Sequence, residues 1–227
     1  MSTPKPDKSL GASTPLAPLA PLAALAAVAA VFAGSKERKA GPPPASHPRD
    51  ATHRLVKIRA IRSEAVPRVD VRQCPRFEPE SDPAEKVLRS GDLLLPSRGD
   101  KRDVVLIETV ADELPLVASG SLYVVRPRTE LVEPGYLAWW LNSHKLQALL
   151  RDAARGSKVA FIPLRVVQDL PVPLPDLETQ RATACYHRLA AREHEILSAI
   201  RDRRRQLVDQ RLNNIVAGSI PTGAAPA

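Results

Sequence analysis

The chain has 227 residues, 44% of them hydrophobic, and 33 Lys and Arg against 25 Asp and Glu give it a formal net charge of +8. That length admits one ordinary domain plus an additional element and excludes two large independent domains. The charge points to an acidic polymer as partner, nucleic acid first and an anionic membrane surface second, with a merely solvating surplus of arginine as the plain alternative.

Two cysteines, Cys74 and Cys185, show no CxxC or partner-His spacing, which matches a reducing cytoplasm. Aromatic residues make up 4% of the chain, too few for a single-strand stacking platform, so duplex is the favoured form of any nucleic acid.

Residues 1–15 are polar, contain proline and are expected to be disordered. Residues 16–34 are apolar and Ala-dominated, but Pro18 and Pro21 confine a continuous helix to residues 22–33, too short to span a bilayer. Two readings stay open for this run. One is a core helix with Leu22, Leu25, Val28 and Phe32 on a broad apolar face, stopped by Gly34. The other is a secretory signal, with Lys5 and Lys8 ahead of the run and Val31-Phe32-Ala33 as a cleavage site.

Residues 35–54 read as a loop. Residues 55–61, LVKIRAI, alternate apolar and basic positions, which predicts a half-buried strand with Lys57 and Arg59 on one face. Further short strands are expected in residues 86–95, around a Ser-Gly-Asp turn, and in residues 103–110, 115–127 and 158–164. Residues 134–154 carry helical spacing and predict one or two helices, with Trp139-Trp140 as a core anchor that leaves one ring near the surface.

Pro171, Pro173 and Pro175 hold the chain extended, so a helix can begin only at Asp176 or Leu177. From there to residue 216 the chain lacks Gly and Pro, Asp176 can cap the helix, and Glu178 suits its first turn. Ala182, Cys185, Leu189, Ile196, Ile200 and Leu207 form one apolar stripe, interrupted by Glu193 and by Arg203-Arg204-Arg205. A helix of that length with one such stripe needs a partner helix. Residues 217–227 read as a disordered tail.

Motifs of catalysis and metal binding are scarce: there is no Walker loop, GxGxxG, HExxH, G-x-S-x-G or paired-cysteine zinc pattern. Asp82 with Glu85 and Lys86 is a faint acidic cluster in a loop, and His187 with His194 suits helix packing better than metal binding. Three loops suit contacts to phosphates or bases instead. Ser97-Arg98-Gly99 with Lys101 and Arg102 follows an apolar strand, and Gly99 permits a sharp turn that presents the basic side chains. Ser119-Gly120-Ser121 is small enough for close backbone approach, or is simply a tight turn. Arg155-Gly156-Ser157-Lys158 is a positively charged bend, or a helix end that welcomes Arg155.

In chain order, SGDLLLPSRG, VASGSLYVVRP, PGYLAWWLNS, ARGSKVAFIPL and LPVPLPDLETQ resemble the target-recognition domain and following helix of the DNA-specificity (S) subunit of type I restriction-modification systems. The resemblance covers about residues 22–216, with residues 22–34 matching a short opening helix. It implies an α+β fold: a mixed α/β target-recognition domain with short strands over residues 16–175, then one long coiled-coil-like helix over residues 176–216. It implies a cytoplasmic, non-catalytic protein without a cofactor. Its partners would be double-stranded DNA and modification (methyltransferase) subunits, with a restriction subunit as a further one. Phosphate contacts fall to Arg98, Lys101, Arg102, Arg155 and Lys158, and base contacts to the loop tips at Ser97, Gly99, Ser119, Ser121 and Ser157.

Family members carry two recognition domains and two long helices in an antiparallel pair, whereas this chain has one of each. The expectation is a half-size subunit that forms a homodimer through its helix and reads two identical half-sites. Pairing with a different S chain stays open, as do a protein–protein adaptor built on the helix and an exported protein.

Overall fold

The protein is described here from a computed structural model, which covers residues 20–35, 52–78, 84–99, 102–108, 114–154 and 161–219. The expectations for residues 1–15, for most of the 35–54 loop, and for Asp82 lie outside those residues.

Two continuous apolar runs build the centre. Strands β7 (Leu93–Pro96) and β10 (Leu122–Pro127) pair antiparallel inside a four-stranded sheet of order β2-β10-β7-β8, with β2 at Ala29–Ala33 and β8 at Val105–Leu106. Alternate residues of a strand point to opposite faces. Leu93, Leu95, Tyr123 and Val125 pack on one side with Leu137, Leu141, Leu146, Leu150 and Ile162. Leu94, Leu122 and Val124 pack on the other with Val56, Leu88, Leu116 and Ile107. Both faces are covered, which is why these strands read as unbroken apolar runs instead of alternating ones.

Helices α2 (Pro134–Leu141) and α3 (His144–Ala153) cover the first face, separated by Asn142 and Ser143. Asn142 closes the break by accepting from the Val104 N–H at 2.8 Å and donating to the Val104 carbonyl at 2.8 Å. The second face is covered by a mixed sheet in which β3 (His53–Val56) runs parallel to β9 (Leu116–Ala118) and antiparallel to β6 (Arg76–Phe77). A two-stranded ribbon, β4 (Ile61–Arg62) with β5 (Arg68–Val69), lies beyond it.

The apolar run near the N-terminus is not one helix. It forms β1 (Leu22–Ala24), a single turn α1 (Leu25–Val28), and β2. Strand β2 pairs with β10, placing Val31 opposite Val125 and Phe32 opposite Val124, and β1 pairs with β11 (Pro171–Pro173). Alanine favours helix by well under 1 kcal/mol per residue, and two strand pairings plus burial override that preference. Gly34 accordingly serves a different end from the helix stop expected of it. A Cβ there would lie 2.2 Å from the Ser119 carbonyl oxygen, so only glycine lets the two backbones approach. Residues 55–61 likewise hold the end of β3, a 3-10 turn (Ile58–Ala60) and the start of β4 in place of one strand. Of the strand expected at residues 158–164, the described part, 161–164, supplies an isolated bridge at Phe161 and the start of α4 (Leu164–Gln168).

The prolines before the last helix do keep the chain extended. Pro171 and Pro173 lie in β11, one of only two strands in its sheet, where their missing N–H groups leave little unpaired. Aromatic side chains grip the segment: the Trp140 indole N–H donates to the Pro171 carbonyl at 2.8 Å, and the Tyr136 hydroxyl donates to the Pro173 carbonyl at 2.9 Å. Helix α5 (Leu177–Ser219) follows, capped by Asp176, whose carboxylate accepts from the Thr179 N–H and hydroxyl, both at 2.8 Å. Those bonds hold the Asp176 carboxyl below its usual pKa. No helix among the described residues is long and apolar enough to cross a membrane.

Two buried polar groups lock this arrangement. Asp92, 1% exposed, accepts two 2.8 Å bonds from the Arg126 guanidinium and one of 2.8 Å from the Arg89 N–H. Arg126 also donates to the Val87 carbonyl at 2.8 Å and lies 5.5 Å over the Phe32 ring. Its bonds to Asp92 hold the Arg126 pKa above the ordinary value. Gln180 is fully buried: its carbonyl accepts from the Glu133 N–H at 2.9 Å, and its NH₂ donates to the carbonyls of Pro175 at 2.8 Å and Leu131 at 3.3 Å.

Asp92→Ala is expected to cost about 3 kcal/mol, the low end for breaking a buried pair because Arg126 is partly solvated, measured as a lower urea midpoint. Gln180→Ala, which strands three backbone groups, is expected to cost about 1–3 kcal/mol and to speed amide exchange in the first turns of α5.

Candidate nucleic-acid interface

Three stretches far apart in sequence meet at one end of the central sheet. Ser97, at the end of β7, receives the Ile162 N–H on its carbonyl at 2.8 Å, while its own N–H and hydroxyl donate to the Ser121 carbonyl at 3.0 and 2.9 Å. Arg98 forms a backbone bridge to Phe161, the first described residue after residue 154. The Ser119 and Ser121 hydroxyls lie 2.7 Å apart. The 97–99 and 119–121 loops, with the start of the 161–164 segment, therefore form one contiguous edge. Gly99, at φ 91°, makes the sharp turn that L side chains disfavour.

The edge does not present all its residues alike. Arg98 and Gly99 are exposed, and Ser121 is half-buried. Ser97 and Ser119 are fully buried, their hydroxyls engaged within the edge, so they shape the loops and do not face outward as expected. Arg102 also differs from the expectation: it is buried, with its Nε unbonded, and its carbonyl accepts from the Gln147 side chain at 3.2 Å. Lys101, Arg155, Ser157 and Lys158 lie outside the described residues. Arg98 also acts on Tyr123, whose hydroxyl donates to the Ile162 carbonyl at 2.7 Å. Burial pushes that phenol's pKa up, and the Arg98 charge partly opposes the shift.

A second basic surface had only a partial signal in the sequence. Residues 54–76 hold Arg54, Lys57, Arg59, Arg62, Arg68, Arg72 and Arg76, and five of these seven, all but Arg54 and Lys57, are exposed. Strand register sets Arg54 directly opposite Arg76 and Arg62 directly opposite Arg68. Like charges facing each other across strands destabilise the pairing unless anions sit between or beside them. Asp70 supplies one, accepting from Arg62 at 2.9 Å, and its own pKa is held down chiefly by that bond. The Ser63 hydroxyl donates to Asp103, so this lobe lies against the segment that follows the 97–99 loop.

Helix α5 meets the domain along one side only. Gln180, Ala184 and Ala191 are buried, and Glu195 forms an ion pair with Arg68 of β5. Ala182, Cys185, Leu189, Ile196, Ile200 and Leu207, the stripe expected to need a partner, are all exposed.

No family model and no curated protein matches the sequence. Solved structures do match in fold. The HsdS subunit from Thermoanaerobacter tengcongensis aligns with a TM-score of 0.53 and 20% identity, over 82% of this chain and 41% of that one. A chain from a structure concerned with complex assembly and conformational transition of the type I R-M system aligns with a TM-score of 0.63 and 20% identity, over 93% and 52%. The S subunit of the M. genitalium type I restriction-modification system aligns at 0.51 and 12% identity, over 88% and 46%. The chain thus has the α+β fold of the type I restriction-modification S subunit, short-stranded domain and long C-terminal helix together, and spans about half the length of the solved chains it matches.

Proposed function

We propose that this chain is a non-catalytic, sequence-specific DNA-binding subunit that directs partner methyltransferase subunits to a bipartite site in cytoplasmic DNA. The observation that supports this reading is that one mixed domain and one helix reproduce about half of an S subunit. Residues 16–175 form the recognition domain in this reading, and residues 176–216 the spacer and dimerisation helix. Two copies supply the two half-sites, and a restriction subunit joins where the system has one. The exposed Arg98 edge and the adjoining arginine lobe face the duplex, with phosphate contacts from Arg98, Lys101, Arg155, Lys158, Arg59 and Arg72, and base contacts from the loop tips around Gly99, Ser121 and Ser157.

Co-expression with a candidate modification subunit, followed by genome-wide mapping of methylated motifs, is expected to give a palindromic split motif. An asymmetric split motif would show that the chain works with a different S chain. A soluble complex that methylates no defined motif would overturn the reading and favour a protein–protein adaptor. Arg98→Ala and Arg59→Ala are each expected to weaken duplex binding. If each removes one phosphate contact, the slope of log affinity against log salt falls by about one. An Arg98→Ala chain with unchanged affinity and specificity would remove Arg98 from the interface.

A further inference from the structure

Helix α5 and the domain enclose a cleft that takes no part in the proposed duplex contacts. Its two joined compartments, of about 470 and 520 Å³, share Val66 and Pro67 from the turn between β4 and β5, Leu106, Ile107 and Glu108 from β8 and its end, and Arg188 from α5. The cleft opens beside Gly91, ahead of β7, whereas the 97–99 loop leaves the other end of that strand. It is therefore separate from the candidate duplex edge.

Strand β8 is an edge of its sheet, and its backbone groups point alternately toward β7 and away from it. The Ile107 N–H donates to the Asp92 carbonyl at 2.8 Å, so the N–H and C=O of Val104 and of Leu106 point the other way, off the sheet. At Val104 the Asn142 carboxamide fills that position, its oxygen accepting from the N–H and its NH₂ donating to the carbonyl, both at 2.8 Å. At Leu106 neither group has a hydrogen-bond partner among the described residues. Beyond it, the Ser90 hydroxyl donates to the Glu108 carbonyl at 2.6 Å. One donor–acceptor pair thus stands open on this edge. That is too short for an added peptide strand, but it matches a single planar group of the kind that Asn142 presents next door.

We infer that the cleft binds an adenine nucleotide, a ring nitrogen of the base accepting from the Leu106 N–H and the exocyclic amine donating to the Leu106 carbonyl. Val66 and Pro67, with Ala138 and Ala184, supply apolar wall for the ring. The Asn142 NH₂ is already spent on Val104 and Ala138, so this compartment has few hydrogen bonds left to give. Adenine suits it best because it carries no carbonyl, whereas guanine, cytosine and uracil bring further polar groups that would be buried unpaired. Arg188 and Glu108 are exposed at the mouth, and neither side chain has an ion-pair partner among the described residues. Arg188 then holds a phosphate and Glu108 accepts from the ribose hydroxyls. Arg68 and Arg192 also line the cleft, but both are engaged with Glu195, which leaves charge for one phosphate. Because the walls come from the domain and from α5, a bound nucleotide fastens the two together.

Calorimetric titration of the full chain with AMP tests the assignment. AMP is expected to bind one to one, with GMP and CMP weaker by roughly tenfold or more. Arg188→Glu is expected to weaken AMP by about tenfold or more and to leave adenosine unchanged. Ala138→Trp, which fills the compartment, is expected to abolish binding of both. In the unaltered chain AMP is expected to slow hydrogen exchange of the Leu106 amide, a measurement that stands even where a substitution disturbs folding. Absence of AMP binding, equal affinity for GMP and CMP, an AMP affinity that Arg188→Glu leaves unchanged, or a Leu106 amide that AMP does not protect overturns the assignment. None of these readouts uses DNA, so the outcome is independent of the duplex-binding proposal.

Discussion

The buried amide of Gln180 sets how the helix leaves the domain. It holds the Glu133 N–H at the start of α2, the Pro175 carbonyl at the end of the proline segment and the Leu131 carbonyl. The site requires one acceptor and two donors from one side chain. Glutamate would put a charge in the same space and lose the donors, and an apolar residue would strand three backbone groups. Fifteen residues further along, about 22 Å, the Arg68–Glu195 ion pair makes a second attachment. One point fixes where a helix begins; two fix its direction.

The same economy governs the central sheet. Strands β7 and β10 are buried on both faces, so the loops that leave their ends have little freedom in where they start. Asp92 and Arg126 reinforce this by tying the turn before β7 to β10 and to the backbone at Val87. The 97–99 and 119–121 loops grow from that base and hydrogen-bond to each other, leaving Arg98 and Gly99 outermost. A rigid sheet that carries adjustable loops lets contact residues change without disturbing the fold.

What the sequence disclosed and what it hid divide along the range of the interactions. The start of α5, its Asp176 cap and the extended proline segment were legible because each depends on neighbours a few residues away. The Leu-rich strand after Gly91 and the Val-rich strand after Ser121 were legible because burial on both faces leaves an unbroken apolar run. Residues 22–33 were not, because alanine favours helix locally and the strands that recruit them, β10 and β11, lie roughly 100 and 150 residues away. The candidate edge at residues 97–99 and 119–121 was half legible. Glycine and arginine marked the 97–99 loop, but whether Ser97, Ser119 and Arg102 face outward depends on packing that no local pattern encodes. The arginines at 62 and 68, and at 54 and 76, face one another only through strand register.

Helix α5 then poses a physical problem that its own chain does not solve. Its domain contacts end near Ser198, and 21 further residues follow with Leu207, Val208, Leu212, Ile215 and Val216 all exposed. Isolated helical segments of that length are marginal in water, and most helix stability in proteins comes from burying an apolar face. The distal half of α5 also carries Arg201, Arg203, Arg204 and Arg205, whose mutual repulsion works against helix unless anionic groups lie alongside. A partner helix, as proposed, would bury the Leu and Ile side chains, while Asp202 and Asp209 of the same helix offset part of the arginine charge. If a partner helix covers that face, as proposed, order in the distal helix and association become one coupled equilibrium, and the stability of this half rises with partner concentration.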